Sequence, residues 1–546
     1  MFVEDINEEF YNLIHGKHIL LLVNNDIDAI CASKIFQNLF KCISTLYTLV
    51  TVEGLQELQE IYANYSEQSK FILLINCGGT VDIVETLQPD EDVIVFIVDS
   101  HKPTDVCNVY SRSQVRIIGK AEENEHIPDF EDIFLDSDAE SEGSEDELGE
   151  EEIKKRREKK EWVDKRNRIM FEYTQFSFYG RASSLIVYEL LWRLGKENID
   201  CLWWAIIGLT FQLHFGLIEE SKYASELPVL QLHLARLAPA MVDRQKSDMF
   251  KITTQKDLKL LLYRHWTVQA SIRYSMITAI KLRLWTAQGE KRLHQLLAEV
   301  GLPLNESLQN YTSMDFNLRN EFYSMVEGVT SKYGLENLIY TCFVLSHGFR
   351  NCYQSADYVY GLLAILDNCE LNDSSAGDRF LHAMDSLSRN KYQNLNNGIE
   401  KAKKLLASIY KEVQTILDLN QVISAGPFLY FVLNENGAEG KMFSTPITLL
   451  TLARYVLNFY ASVSRSKKTG LLPLIASASC TDDKCIVLGI PPASELFPRN
   501  FFGKAFERAS EIVGIEPLLN YFDTSVIKIK QSDRPKFFDA LVTILS

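Results

Sequence analysis

Short β-rich runs alternate with helical spacing over the first 120 residues. Residues 19–23 are continuously apolar, and Ile27, Ile30, Cys31, Ile35 and Leu39 then recur at three- and four-residue intervals, so a buried strand leads into an amphipathic helix over 27–40. The pattern repeats as a strand at 46–52 with a helix at 55–65, then a strand at 71–75 with a helix at 81–87. Further apolar runs at 93–98 and 115–118 close the series. Runs apolar on both faces and separated by helices predict a parallel sheet covered on both sides, a doubly wound α/β fold. Two strongly apolar helices, 182–194 and 199–211, complete this unit.

Beyond residue 220 the period changes. Residues 255–283, 291–300, 358–366 and 379–417 place apolar side chains at three- and four-residue spacing, which predicts a helical middle. β character returns at 428–433, 485–490 and 525–529, with helical patterns at 447–461 and 500–513, the outline of a second, smaller α/β unit. The expected division is therefore 1–220, 221–420 and 421–546, consistent with 546 residues and two to four domains. No internal repeat of fixed period is present.

Charge changes the picture at one place. The net charge is −17, but ten acids and no base lie between Asp136 and Glu152, and nine bases against three acids follow between Lys154 and Arg168. A segment so poor in apolar residues cannot offset the entropy of ordering, so a disordered insert at about 132–168 is expected. Its basic half reads as an exposed helix, either pairing with the acidic half or solvated alone. Ser137, Ser141 and Ser144 stand among the acids, the surroundings read by an acid-directed kinase. An acidic chain is a poor overall match to nucleic acid, leaving only local basic patches.

Ten cysteines without a C-x-x-C pair predict reduced thiols in an intracellular protein, and the acidic N-terminus is unlike a signal peptide. Residues 201–218 lack Asp, Glu, Lys and Arg but contain Gln212 and His214, so a buried helix is expected there and no membrane partner.

In an open parallel sheet, ligands bind beyond the carboxyl ends of the strands. The residues there are Asn24, Asn25, Asp26 and Asp28 after the first strand, Asn76 and Cys77 after the third, and Asp99, Ser100 and His101 after the fourth. Clustered oxygens with an imidazole are what two hard divalent cations require in a metal-dependent hydrolase. Asp26 and Asp28 also stand where a helix N-cap is needed, and capping alone accounts for either. There is no P-loop, G-x-G-x-x-G, nucleophile elbow or zinc spacing.

The order V-N-N-D-I-D-A-I, I-N-C-G, V-D-S-H-K-P, the acidic then basic insert, W-W-A-I-I-G-L-T, L-A-E-V-G-L-P-L, S-A-G-P-F-L-Y and N-F-F-G-K-A-F-E closely resembles the cell division control protein 45 family over essentially the whole chain. That family is a divergent branch of the RecJ and DHH phosphoesterases. The resemblance implies an N-terminal DHH-like domain, a helical middle and a C-terminal DHHA1-like domain. Carried across, the Asp-x-Asp-x-Asp-Gly motif falls on Asn24, Asp26, Asp28 and Ala29, the metal-bridging Asp on Asn76, and Asp-His-His on Asp99, Ser100 and His101. The fourth motif's Asp falls on Phe211. One bridging acid, one further acid, a histidine and a fourth ligand are thus replaced. The retained acids Asp26, Asp28 and Asp99 bring at most three negative charges against two divalent cations, and a ring at Phe211 would fill the pocket. The resemblance therefore implies no metal cofactor and no catalysis, with one weak cation at Asp26 and Asp28 or a manganese-dependent RecJ-like nuclease as the alternatives.

Nucleic-acid candidates are Arg465, Lys467 and Lys468; Arg499, Lys504 and Arg508 beside Phe501 and Phe502; and Lys528, Lys530, Arg534 and Lys536. Phe501 and Phe502 also fit a core role at a helix start. By resemblance the protein is a nuclear, non-catalytic scaffold of the replicative helicase, partnered by the minichromosome maintenance ring, the GINS complex, replicative polymerase and initiation factors, with weak single-stranded DNA binding. A signalling adaptor is a further reading of the same features. Residues 300–375, with Tyr311, Phe322 and Tyr323, are the expected docking region.

Overall fold

The first sheet forms where the apolar runs predict it. The computed structural model describes residues 1–546 apart from 112, 135–149, 238–249, 349–350, 368–374, 434–439, 465–468, 481–482, 493–498 and 516–520. Strands β1 (His18–Asn24), β2 (Leu46–Val52), β3 (Phe71–Ile75), β4 (Ile94–Val98) and, after the two-residue β5 (His101–Lys102), β6 (Val115–Ile117) make a five-stranded sheet in the order β2-β1-β3-β4-β6. All its pairings are parallel. Alternation sends Leu21, Val23, Leu73 and Ile75 to one buried cluster and Leu20, Leu22, Ile72 and Leu74 to another, the signature of a sheet buried on both faces. The first face is covered by α1 (Ile27–Cys42), α6 (Ser183–Arg193) and α7 (Ile199–His214), and the second by α2 (Leu55–Tyr65) and α3 (Ile83–Leu87), with α4 (Val106–Tyr110) leading into β6.

Helix α7 explains the uncharged stretch. Residues 201–213 are all buried, so this helix is apolar all round because it is enclosed by protein. No helix among the described residues is long and apolar enough to cross a membrane. The basic segment is helical, as α5 (Glu150–Thr174), and is followed by β7 (Phe178–Tyr179). Ser137, Ser141 and Ser144, and the candidates Arg465, Lys467 and Lys468, lie outside the described residues.

The middle is mostly helical but departs from the pattern reading in two places. Residues 255–283 are not one helix: β8 (Phe250–Leu258) pairs antiparallel with β9 (Ile339–His347), which pairs with β10 (Asn351–Gln354). Beyond α8 (Glu220–Leu237), which precedes β8, the next helices are α9 (Val268–Tyr274) and α10 (Met276–Leu282), followed by α11 (Ala287–Val300) and α12 (Phe316–Tyr333). The paired residues of β9 are 81 to 97 positions downstream of those of β8, and local periodicity carries no trace of such a pairing. The expected helix 379–417 is likewise two, α13 (Ala376–Ser386) and α14 (Tyr392–Asp418), behind the buried helix Ser355–Leu366. The break is pinned by the indole Nε1 of Trp204, which donates to the Leu387 carbonyl at 3.2 Å.

The last region holds a five-stranded sheet of β11 (Ile423–Ser424), β12 (Leu429–Leu433), β13 (Leu474–Ser479), β14 (Lys484–Ile490) and β15 (Val526–Lys530), in that order. Helices α15 (Pro446–Val463), α16 (Phe502–Val513) and α17 (Arg534–Leu545) pack on it. Strand β13, Leu-Ile-Ala-Ser-Ala-Ser, escapes a propensity reading because alanine and serine are weak strand formers, yet all six of its residues are buried.

Candidate functional site

Sheet order and register fix the site. Strand order reverses at β1, between β2 and β3, so a crevice opens at the carboxyl ends of β1 and β3. Ile75 is level with Val23 on one side and with Val98 on the other. The next residues of these strands, Asn24, Asn76 and Asp99, therefore lie side by side, and the Asn76 amide donates to the Val98 carbonyl at 2.9 Å. Asp26 caps α1 by accepting from the Ala29 amide at 2.8 Å, and Asp28 stands in the first turn.

Asn76 is the hub. It is buried, with φ +54°, a left-handed conformation that asparagine tolerates better than most residues. Its side-chain oxygen accepts from the Ser100 amide at 3.2 Å, the Ser100 hydroxyl at 3.4 Å and the Ser183 hydroxyl at 2.5 Å. A backbone amide can only donate, so the orientation is fixed. The Asn76 amide group must face the acids, and it donates to Asp26 at 3.1 and 3.3 Å and to Asp28 at 3.5 Å.

The other donors come from far along the chain. Asp28, almost wholly buried, accepts the Ser183 amide at 2.7 Å, the Ser184 amide at 3.0 Å and the Ser184 hydroxyl at 2.6 Å. These groups are the N-terminal end of α6, whose free N–H groups and dipole suit a carboxylate. Helix α7 presses on the same acid through Gly208, where a Cβ would fall 2.4 Å from Asp28 Oδ1 and 2.0 Å from Ser184 Oγ. Phe211 is buried a turn further on, its ring 5.0 Å from that of Phe215. Ser183 and Ser184 are site residues that motif reasoning misses. The only local signal is the S-S pair opening an apolar helix at 183, a capping cue without a visible target.

Asp99 and His101 form a separate buried pair. Asp99 accepts from the Gly78 and Gly79 amides at 3.1 and 2.7 Å and from the His101 amide at 2.9 Å, while His101 Nδ1 lies 2.7 Å from Asp99 Oδ1. Burial alone would keep His101 neutral, but Asp99, Asp523 and Asp26 outweigh it and raise its pKa to about 9. Burial opposes ionisation of Asp99, and the imidazolium with the backbone donors reverses that and holds it below the usual carboxylate range. Asp26 goes the other way. Burial first and Asp28 second push it up to about 7, and burial likewise raises Asp28.

This donor set does not suit a pair of divalent cations. Asp26 and Asp28 face N–H and O–H donors where a metal centre would present further oxygens, and Asn76 turns its amide group towards them. Protonated His101 has no lone pair to offer. The pocket is also less negative than three free acids would make it, because Asp99 is neutralised by His101 and burial drives Asp26 and Asp28 towards neutrality. The one group of described residues whose atoms converge as metal ligands lies elsewhere, at Asp82, Asp105 and Cys107, and both aspartates there serve as N-caps.

The structure scatters the nucleic-acid candidates. The guanidinium of Arg499 lies 6.0 Å from the Phe178 ring centroid and that of Arg508 4.5 Å from Phe171, so both bind the first region to the last. Lys504 pairs with Glu507 at 2.6 Å. Phe502 is wholly buried and stacks on Phe501 at 4.5 Å, which is the core role. Lys528 and Lys530 lie on edge strand β15, and Arg534 and Lys536 open α17. In the expected docking region, Phe322 is core and Tyr311 packs against it and Tyr263, whereas Leu304, Leu308 and Phe316 are exposed.

The CDC45 family model matches residues 19–162 and 136–544. The chain is similar to the cell division control protein 45 homologues of Mus musculus, 39% identical, and Homo sapiens, 38% identical, each over 100% of both chains. Its fold is similar to the crystal structure of CDC45 from Entamoeba histolytica, with a TM-score of 0.72, 22% identity and full coverage of both chains.

Replacing Asn76 by Asp removes the donor and adds a third carboxylate beside Asp26 and Asp28. Thermal unfolding of Asn76→Asp should show a loss on the order of 2–5 kcal/mol at pH 8 that shrinks towards pH 5. Asp26→Asn should behave oppositely. A carboxyl whose folded pKa is raised from 3.8 to about 7 loses stability as pH rises through that window, so this variant should gain on the wild type between pH 5 and 8. His101→Gln should be destabilised most below pH 6.5, and the deficit should fade as pH rises through about 9, where the wild-type imidazolium is lost.

Proposed function

The chain belongs to the CDC45 family, and on that premise we propose that it is a non-catalytic replication factor, a scaffold subunit of the eukaryotic replicative helicase. The observation that supports this most directly is the Asn76 side chain, which donates to Asp26 and Asp28 from the position that the sequence resemblance gives to a metal-bridging acid. A phosphodiesterase of the RecJ type needs an activated water held between two cations, and here the oxygens that would hold those cations are occupied by Ser183, Ser184 and Asn76.

In this reading the protein works in the nucleus, in initiation and elongation of DNA replication, through surfaces offered to the minichromosome maintenance ring, the GINS complex, the polymerase and initiation factors. The units 1–220, 221–420 and 421–546 are the bodies that carry those surfaces. Exposed Leu304, Leu308 and Phe316 place apolar area in the region proposed for docking. Weak single-stranded DNA contact is assigned to Lys528 and Lys530, which have no carboxylate within salt-bridge distance among the described residues, rather than to Arg499 and Arg508, which lie against aromatic rings.

Incubating the purified chain with single-stranded DNA and manganese should release no product, and cleavage that disappears in Asp28→Ala would establish the nuclease reading instead. Fluorescence anisotropy with a labelled oligonucleotide should show binding that weakens as salt rises and weakens further in Lys528→Glu/Lys530→Glu. Affinity indifferent to salt and to these charges would remove the DNA contact from the proposal.

A further inference from the structure

A cavity of about 680 Å³ lies between the first α/β region and the last sheet, lined from β5, β7, α15 and the segment 521–527. Its size is that of a small-molecule site, and most of its wall is apolar, with Leu450, Leu457, Phe506 and Phe522 among the lining residues. Four cations also line it, and three have acid partners. His101 lies on Asp99 at 2.7 Å, Lys102 faces Glu125 at 3.6 Å, and Lys504 pairs with Glu507 at 2.6 Å. The fourth, Arg454, has no carboxylate within 4 Å among the described residues. Of the acids on the wall, Asp523 is held by the Tyr179 hydroxyl and by Ser525, and Asp105 by the Cys107 and Asn108 amides.

Arg454 is placed there by construction. Leu450, Arg454, Leu457 and Asn458 recur at helical spacing on α15, so one stripe of this helix faces the cavity. Its guanidinium lies against Gly216, where a Cβ would fall 2.0 Å from Nη2 and 2.6 Å from Nη1. Gly216 has φ +56° and accommodates both the turn after α7 and the guanidinium. Burial lowers the Arg454 pKa, and only Tyr360 and Tyr455 act against that. A half-buried guanidinium with no carboxylate beside it that borders a cavity of this size can be satisfied by an anion bound inside it.

We propose that this cavity is a binding site for a small organic anion, one phosphate or carboxylate group on an apolar body, with Arg454 as the anion's partner and Gly216 as the guanidinium's seat. The site does not depend on the replication reading, and its test leaves that reading untouched.

The test is calorimetric titration of the full chain with phenyl phosphate and with benzoate, which separate the two headgroups, and with inorganic phosphate as the bare anion. One of the two aromatic anions should bind saturably at one per chain, and more tightly than inorganic phosphate. Arg454→Gln should weaken it at least about tenfold, which is about 1.4 kcal/mol, while Lys504→Gln, already paired in the wild type, should leave it unchanged. Gly216→Ala, which displaces the guanidinium without removing it, should weaken binding in the same sense and decides the matter if Arg454→Gln does not fold. Absence of binding by both aromatic anions, or binding that is the same in every folded variant of Arg454 and Gly216, would overturn the assignment. So would inorganic phosphate binding as tightly as either aromatic anion.

Discussion

Two carboxylates lie next to each other at the end of a parallel sheet, and hydrogen-bond donors converge on them from several segments. Asp26 and Asp28 receive the Ala29 amide, the Ser183 and Ser184 amides, the Ser184 hydroxyl and the Asn76 side-chain amide. Acids this deeply enclosed are tolerated only when neutralised or fully hydrogen-bonded. Where a metal centre would satisfy them with positive charge, this chain uses dipoles: the N-terminal end of α6 and one amide held in a left-handed turn. That choice ties together β1, β3, α1, α6 and α7, because each contributes a group to the same few ångströms.

The Asp99 and His101 pair extends this logic. Its charges cancel inside the protein, and the ring of His101 lies 4.9 Å from that of Tyr179, whose hydroxyl reaches Asp523 at 3.1 Å. The polar cluster at the sheet end is thereby connected to the last region. Reciprocal backbone hydrogen bonds between Ser177 and Asn500, at 2.7 and 2.8 Å, and the stacked cations Arg499 and Arg508 lie along the same seam. Side chains that a charge count offers to nucleic acid are here part of the join between regions.

Much of this was legible in the sequence. The parallel sheet, with helices at α1 and α2, follows from continuous apolar runs and three- and four-residue spacing, and the positions Asp26, Asn76 and Asp99 follow from the rule that strand ends carry the chemistry. What periodicity could not supply is long-range pairing. β8 hides in a helical spacing until β9 is known, β13 is too rich in alanine and serine to read as a strand, and Ser183 meets Asp28 across 155 residues. A charge count sets only an upper bound for a related reason. A count of acids treats Asp26, Asp28 and Asp99 alike, whereas burial raises two of them and a histidine neutralises the third.

If dipoles have replaced cations at this sheet end, the pocket has no use for a divalent ion. Calorimetric titration of the purified chain with manganese chloride at neutral pH measures that directly. Heats indistinguishable from dilution are the predicted result. Saturable uptake of two ions per chain, abolished by Asp28→Ala, would contradict the account.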